Sequence, residues 1–142
     1  GDAIVAYEVN THKLGHLRTK MTVSGMAQNI NSAVLGAKIK EASIEFDDDS
    51  YIERLLKVFA EKAGTDVDNY RANLLAGLES DFTARELKLN ADAVGNLKQF
   101  LAEPGKLIVT MYPFNPVGIE SIKHYKPGDV PMLLNLQIYA EK

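Results

Sequence analysis

Polar and apolar residues along this chain follow two rhythms. Between Leu17 and Ser24 the period is two: Leu17, Thr19, Met21 and Val23 fall between Arg18, Lys20, Thr22 and Ser24. Such alternation predicts a strand with one face packed and one face wet. Ala3 to Val9 repeats it, with Val5, Tyr7 and Val9 on one side. The turn residues from Asn10 to Gly15 join the two as an antiparallel hairpin about Lys13 to Gly15. Gly25 to Ser32 is small and polar and reads as a loop. Val34 to Phe46 predicts a third strand. Its apolar phase changes between Ile39 and the set Ala42, Ile44 and Phe46, which predicts a bulge. Lys106 to Tyr112 is apolar on both sides, as a central strand should be. Leu133 to Ala140 predicts a fifth strand, with Leu134, Leu136 and Ile138 on one face.

The second rhythm runs from Asp47 to Leu78, at steps of three and four. Ile52, Leu55, Leu56, Phe59 and Ala63 make one apolar stripe. Ser50-Tyr51-Ile52-Glu53 fits a capping box, and Asp47, Asp48 and Asp49 place negative charge at the positive end of the helix dipole. Glu53 and Lys57 fit an i,i+4 ion pair. Gly64 stands where a left-handed residue ends a helix. Thr65-Asp66-Val67-Asp68 starts another helix at once, lined by Val67, Tyr70, Leu74 and Leu78. So short a connection predicts a helical hairpin. Ser80 to Leu89 fits neither template. Asn90-Ala91-Asp92-Ala93 opens a third helix, with Val94, Leu97 and Leu101 as its stripe, and Glu103-Pro104-Gly105 ends it. Val117 to Ile122 reads as one helical turn, and Lys126-Pro127-Gly128-Asp129 as a tight turn.

Strands at the two ends and helices between them predict an α+β fold. It is a mainly antiparallel sheet of about five strands, with a helical hairpin and a third helix on one face. Pairing between the first and last strands is a further expectation. At 142 residues the chain suits a single domain with a real core, and a start at Gly1 suits a piece excised from a longer chain.

Composition changes this picture little. The net charge is −3, unevenly spread. Glu41 to Glu103 holds 14 acids and 7 bases, while Thr11 to Lys40 holds five Lys or Arg and no acid. The absence of cysteine excludes disulfides, thiolate metal sites and thiol catalysis. No apolar run approaches the roughly 20 residues of a membrane-spanning helix.

Candidate chemistry is sparse. His12 and His16 flank the first turn and would face each other in a hairpin centred on Leu14, with His124 elsewhere. They lack the spacing of a ligand set, so no metal site is expected. Asp47-Asp48-Asp49 lacks the calcium-loop glycine and glutamate, and reads as a helix cap. The basic stretch Thr11 to Lys40 has no aromatic for base stacking, so nucleic acid is not an expected partner. It reads as a solvated sheet face, with contact to a membrane surface as the sharper alternative. No serine sits in a nucleophile-elbow or triad setting, no glycine-rich phosphate loop is present, and no cofactor is implied. The apolar loop Pro113-Phe114-Asn115-Pro116-Val117 is the exception. With Tyr112 it offers Tyr112, Phe114 and Val117 as ligand-contact residues, against a plainer reading in which Phe114 plugs the core.

Ile44-Glu45-Phe46-Asp47, the helix pair, Phe100 to Leu107 and the proline-punctuated Tyr112 to Val117 resemble segments of uncharacterised proteobacterial envelope proteins. The resemblance spans Ile39 to Val117 and implies a periplasmic or membrane-proximal domain of a larger chain.

These readings favour a non-enzymatic binding or scaffold domain that contacts an apolar ligand, a lipid or a partner protein through its sheet face or the Phe114 loop. The alternative is a hydrolase or isomerase with carboxylates assembled from distant residues. That alternative requires a deep pocket with at least two titratable groups of shifted pKa. A third reading is an oligomerisation module pairing through Ala3 to Val9.

Overall fold

The computed structural model describes residues 2–25 and 36–142; the loop expected over Gly25 to Ser32 and the start of the third strand at Val34 lie largely outside them. Strands β1 (Ala3–Thr11), β2 (Gly15–Ser24), β3 (Lys38–Asp48), β4 (Lys106–Met111) and β6 (Leu136–Glu141) form one antiparallel sheet in the order β1-β2-β3-β4-β6. A short β5 (Val117–Gly118) pairs with the start of β3. Helices α1 (Tyr51–Lys62), α2 (Val67–Ala84) and α3 (Ala91–Ala102) follow β3, while α4 (Ile119–Ile122) and α5 (Val130–Leu133) are single turns before β6. The α+β architecture expected from the two rhythms is the one observed.

Register follows from which face must be dry. Leu17, Phe46, Leu107 and Ala140 stand in one row across the sheet, and Thr19, Ile44, Val109 and Ile138 in the next. A slip of one residue would turn this whole set outward. The phase change in β3 is real: pairing runs Thr22 with Glu41, then Val23 with Ile39, so Lys40 is the extra residue. The bulge returns Ile39 to the face of Ala42 and lets it pair with buried Val117.

Helix α3 lies on that face over β6 and β4. Phe100 is 3% exposed and meets Phe46 edge to face, centroids 6.4 Å apart. Helices α1 and α2 form the expected hairpin, and α2 packs in turn on α3. Leu56, Ala60 and Leu78 are buried. Gly64 takes φ 72°, and Thr65 N–H donates to the Ala60 carbonyl at 3.0 Å, closing α1 as its sequence implied. Asp66 and Asn90 cap α2 and α3 by accepting from Asn69 N–H and Ala93 N–H, each at 2.7 Å.

Several expectations need correction. Ser50 is not a side-chain cap. The chain reverses there at φ 62°, which turns its hydroxyl away, and Asp48 accepts from Ile52 N–H at 3.1 Å instead. Glu53 pairs with Arg71 of α2, whose guanidinium also donates to the Leu101 carbonyl, so tertiary contact displaces the local Lys57 partner. The unassigned Ser80 to Leu89 is partly helix: α2 runs on to Ala84, with the Thr83 hydroxyl donating to the Glu79 carbonyl at 2.9 Å. Val117 and Gly118 are a strand rather than part of a helical turn. The last strand starts at Leu136, since Val130 to Leu133 coil into a turn. The first and last strands do not pair; they form opposite edges of the sheet.

Replacing Phe100 by Ala should lower unfolding free energy by about 3–5 kcal/mol in urea titrations, as expected for a truncated buried aromatic. Asp48→Ala should cost about 1 kcal/mol, and Ser50→Ala clearly less; the reverse order would overturn the assigned cap.

Candidate functional site

The face of the sheet opposite the helices is polar. Cross-strand register sets Glu8, Arg18 and Glu45 side by side on β1, β2 and β3. Glu8 accepts from His16 at 2.5 Å and Arg18 at 3.4 Å, and Glu45 lies 3.8 Å from Arg18 and 3.6 Å from Lys106. Signs alternate across four strands, which is the favourable order for opposed pairs. An open depression of about 560 Å³ lies beside this ladder, lined by Ala6, Lys20 and Ser43 as well as Glu8, Arg18 and Glu45. The basic stretch Thr11 to Lys40 therefore meets acids from its neighbours: Arg18 from Glu8 and Glu45, and Lys40 from Asp2 at 2.8 Å. The periodicity of one strand could not show this, because the acids belong to other strands.

The histidines do not face each other. His12 lies in the turn and His16 pairs across from Asn10, so His16 reaches Glu8. The three aspartates diverge. Asp48 caps α1, Asp49 accepts from Lys13 N–H at 3.0 Å and holds the hairpin turn, and Asp47 sits opposite His16 and Lys106 in the sheet. No cluster of three or more His, Asp or Glu side chains suited to a metal occurs among the described residues.

Hydrogen bonds from His16 and Arg18 hold the Glu8 carboxyl below the usual carboxylate range. This stabilises its charged form. A general acid needs the opposite shift, and the alternating charges suit the ladder to holding strands in register.

The loop after β4 is built differently. Tyr112 is held by its carbonyl, which accepts from the Asn135 side chain at 3.0 Å. Val117 is buried and paired with Ile39, and Ile119 N–H donates to the Ala37 carbonyl at 3.0 Å. Pro113 and Pro116 restrict φ between these two clamps. Phe114, at the tip, is 94% exposed, so it does not plug the core. Beside it is a depression of about 320 Å³ lined by Phe114, Asn115, Pro116, Val117, Gly118, Ser121, Tyr125 and Leu133. Of the three expected contact residues, Phe114 and Val117 line this depression. Tyr112 is exposed beside the loop and outside the lining. Tyr125 and Leu133 were not expected contact residues; Tyr125 stands beside the Lys126-Pro127-Gly128 turn, and Leu133 reads from the sequence as the start of the last strand.

Residues 8–141 match the model of a protein family described as "Uncharacterized protein". The chain belongs to that family. The match takes in the helices, the clamped loop and all but the first residues of the sheet. Searches of curated proteins and of solved structures give no match. The family's description carries no activity, so function rests on the geometry above.

The pH dependence of the ladder has a definite sign. Glu8 has a lowered folded-state pKa, so its contribution is present above the ordinary carboxylate value and is lost as pH falls through the lowered one. Carbon-detected NMR titration should place the Glu8 midpoint below that of an unpaired glutamate, and His16→Ala should move it upward. An unchanged midpoint in His16→Ala would remove the hydrogen bond from the account.

Proposed function

We propose that this family member is a non-enzymatic binding or scaffold domain that engages an apolar ligand or partner protein through the loop Tyr112–Val117. The observation that carries this reading is Phe114. A phenylalanine at 94% exposure is held at the tip of a loop clamped at both ends, beside a depression that it lines together with Val117, Tyr125 and Leu133. An exposed aromatic on a stiff loop binds with little ordering cost, and such anchors dominate binding surfaces. Tyr112 and Tyr125, both about half exposed, extend the same aromatic surface. The envelope setting implied by the sequence resemblance fits an apolar or lipid-derived ligand. No helix among the described residues is long and apolar enough to cross a membrane, so membrane contact through this domain would be peripheral.

The carboxylate-enzyme alternative draws no support from the depression beside Glu8 and Glu45. It is open, and the hydrogen bonds that Glu8 accepts there favour its charged form.

Two measurements test the loop. Phe114→Ala should leave stability within about 0.5 kcal/mol, as for an exposed side chain; a core plug would cost several times more. Native mass spectrometry of the protein purified gently from its host should show a retained apolar molecule or partner on the natural chain and its loss from Phe114→Ala. Equal retention by both chains, or none by either, would overturn the proposal.

A further inference from the structure

Among the described residues, strand β1 is an edge of the sheet and pairs only with β2. Its nine residues pair with β2 without a register break, from Ala3 opposite Val23 to Thr11 opposite Gly15. At about 3.4 Å per residue the free side is about 30 Å long. Edge strands of monomers are blunted by lysine, proline, a bulge or a covering element. Ala3 to Thr11 contains no lysine, arginine or proline, and Glu8 is its single charge. The opposite edge is treated otherwise: α3 packs along β6, and the Asn96 amide donates to the Ile138 carbonyl at 2.7 Å. On β1 the side chains stand open on both faces, with Ile4 65%, Val5 51% and Tyr7 60% exposed.

We propose that β1 is where two copies of this chain pair, antiparallel about a two-fold axis through Ala6, joining their sheets edge to edge. The strand's own sequence selects a second copy as the occupant. In that register Val5 of one copy faces Tyr7 of the other, Ala3 faces Val9, Ile4 faces Glu8 and Asp2 faces Asn10. The β-branched and aromatic pair occurs twice, once on each side of the axis, and such pairs stabilise antiparallel ladders. No like charges meet. Moving the axis to Val5 would set Glu8 against Asp2, two acids. Both acids also have a cation within their own copy, Arg18 for Glu8 and Lys40 for Asp2. A two-fold axis normal to the sheet keeps both helix layers on one side. They do not collide, because α3 sits over β4 and β6, away from the joined edge.

This interface is separate from the Phe114 loop, so each can fail alone. Sedimentation velocity on the full chain from about 1 µM to 1 mM should show a monomer giving way to a dimer. The double variant Val5→Lys/Tyr7→Lys changes only exposed side chains; it should keep the native circular dichroism spectrum and stay monomeric. The chain has no cysteine, which makes a cross-linking probe clean. Ala6→Cys should form a disulfide-linked dimer on mild oxidation, since the axis passes through that position. Asn10→Cys, far from the axis, should not. A natural chain that stays monomeric throughout, a lysine variant that dimerises like the natural chain, or equal cross-linking by both cysteine variants would overturn the proposal. If the lysine variant does not fold, the cysteine pair decides.

Discussion

The structure depends on one apolar contact area, where α3 lies on the rows presented by β3, β4 and β6. Phe100 against Phe46 marks its centre, with Val94 and Ile138 buried around it. Neither a helix of 12 residues nor an isolated sheet face is stable in water, so each needs the other. Once α3 is placed, α2 packs on α3 and α1 on α2, and Arg71 ties the three together through Glu53 and the Leu101 carbonyl. Register in β3 answers to the same demand. The bulge at Lys40 is what keeps Ile39 and Phe46 on one face despite their different phase.

Three helices stacked at one side leave the other side of the sheet bare. The helix layer reaches β6 and β4, while Val5 and Tyr7 on β1 remain open. The polar face is held by opposite charges across strands, which solvent screens and which contributes register more than stability. The features with no evident structural role lie at the margins of this arrangement. One is the clamped loop that holds Phe114 in water, and the other is the edge of β1, which among the described residues pairs only with β2. A core needs neither, and both expose apolar surface that a solitary domain has reason to cover.

The sequence by itself determined the elements whose cause is local. Alternation marked β1 and β2, a run apolar on both sides marked β4, three-and-four spacing marked the helices, and Gly64 and Asn90 announced helix ends through groups only a few residues away; the cap of α2 is Asp66, one residue past the Thr65 start. The phase change in β3 foretold a bulge, because period two leaves no other way to hold one face. Beyond the β1–β2 hairpin, which its turn residues announced, tertiary structure alone decided which strands are neighbours, since any strand of matching pattern can pair with another; β1 and β6 therefore became opposite edges instead of partners. It decided that Asp48 and not Ser50 caps α1, because strand pairing places one carboxylate over the helix and turns one hydroxyl away. It also decided the fate of Phe114, the point on which function turns. Whether an aromatic side chain is core or contact depends on where its anchors lie, and those anchors, Asn135 and Ile39, are distant in sequence and close only in the fold.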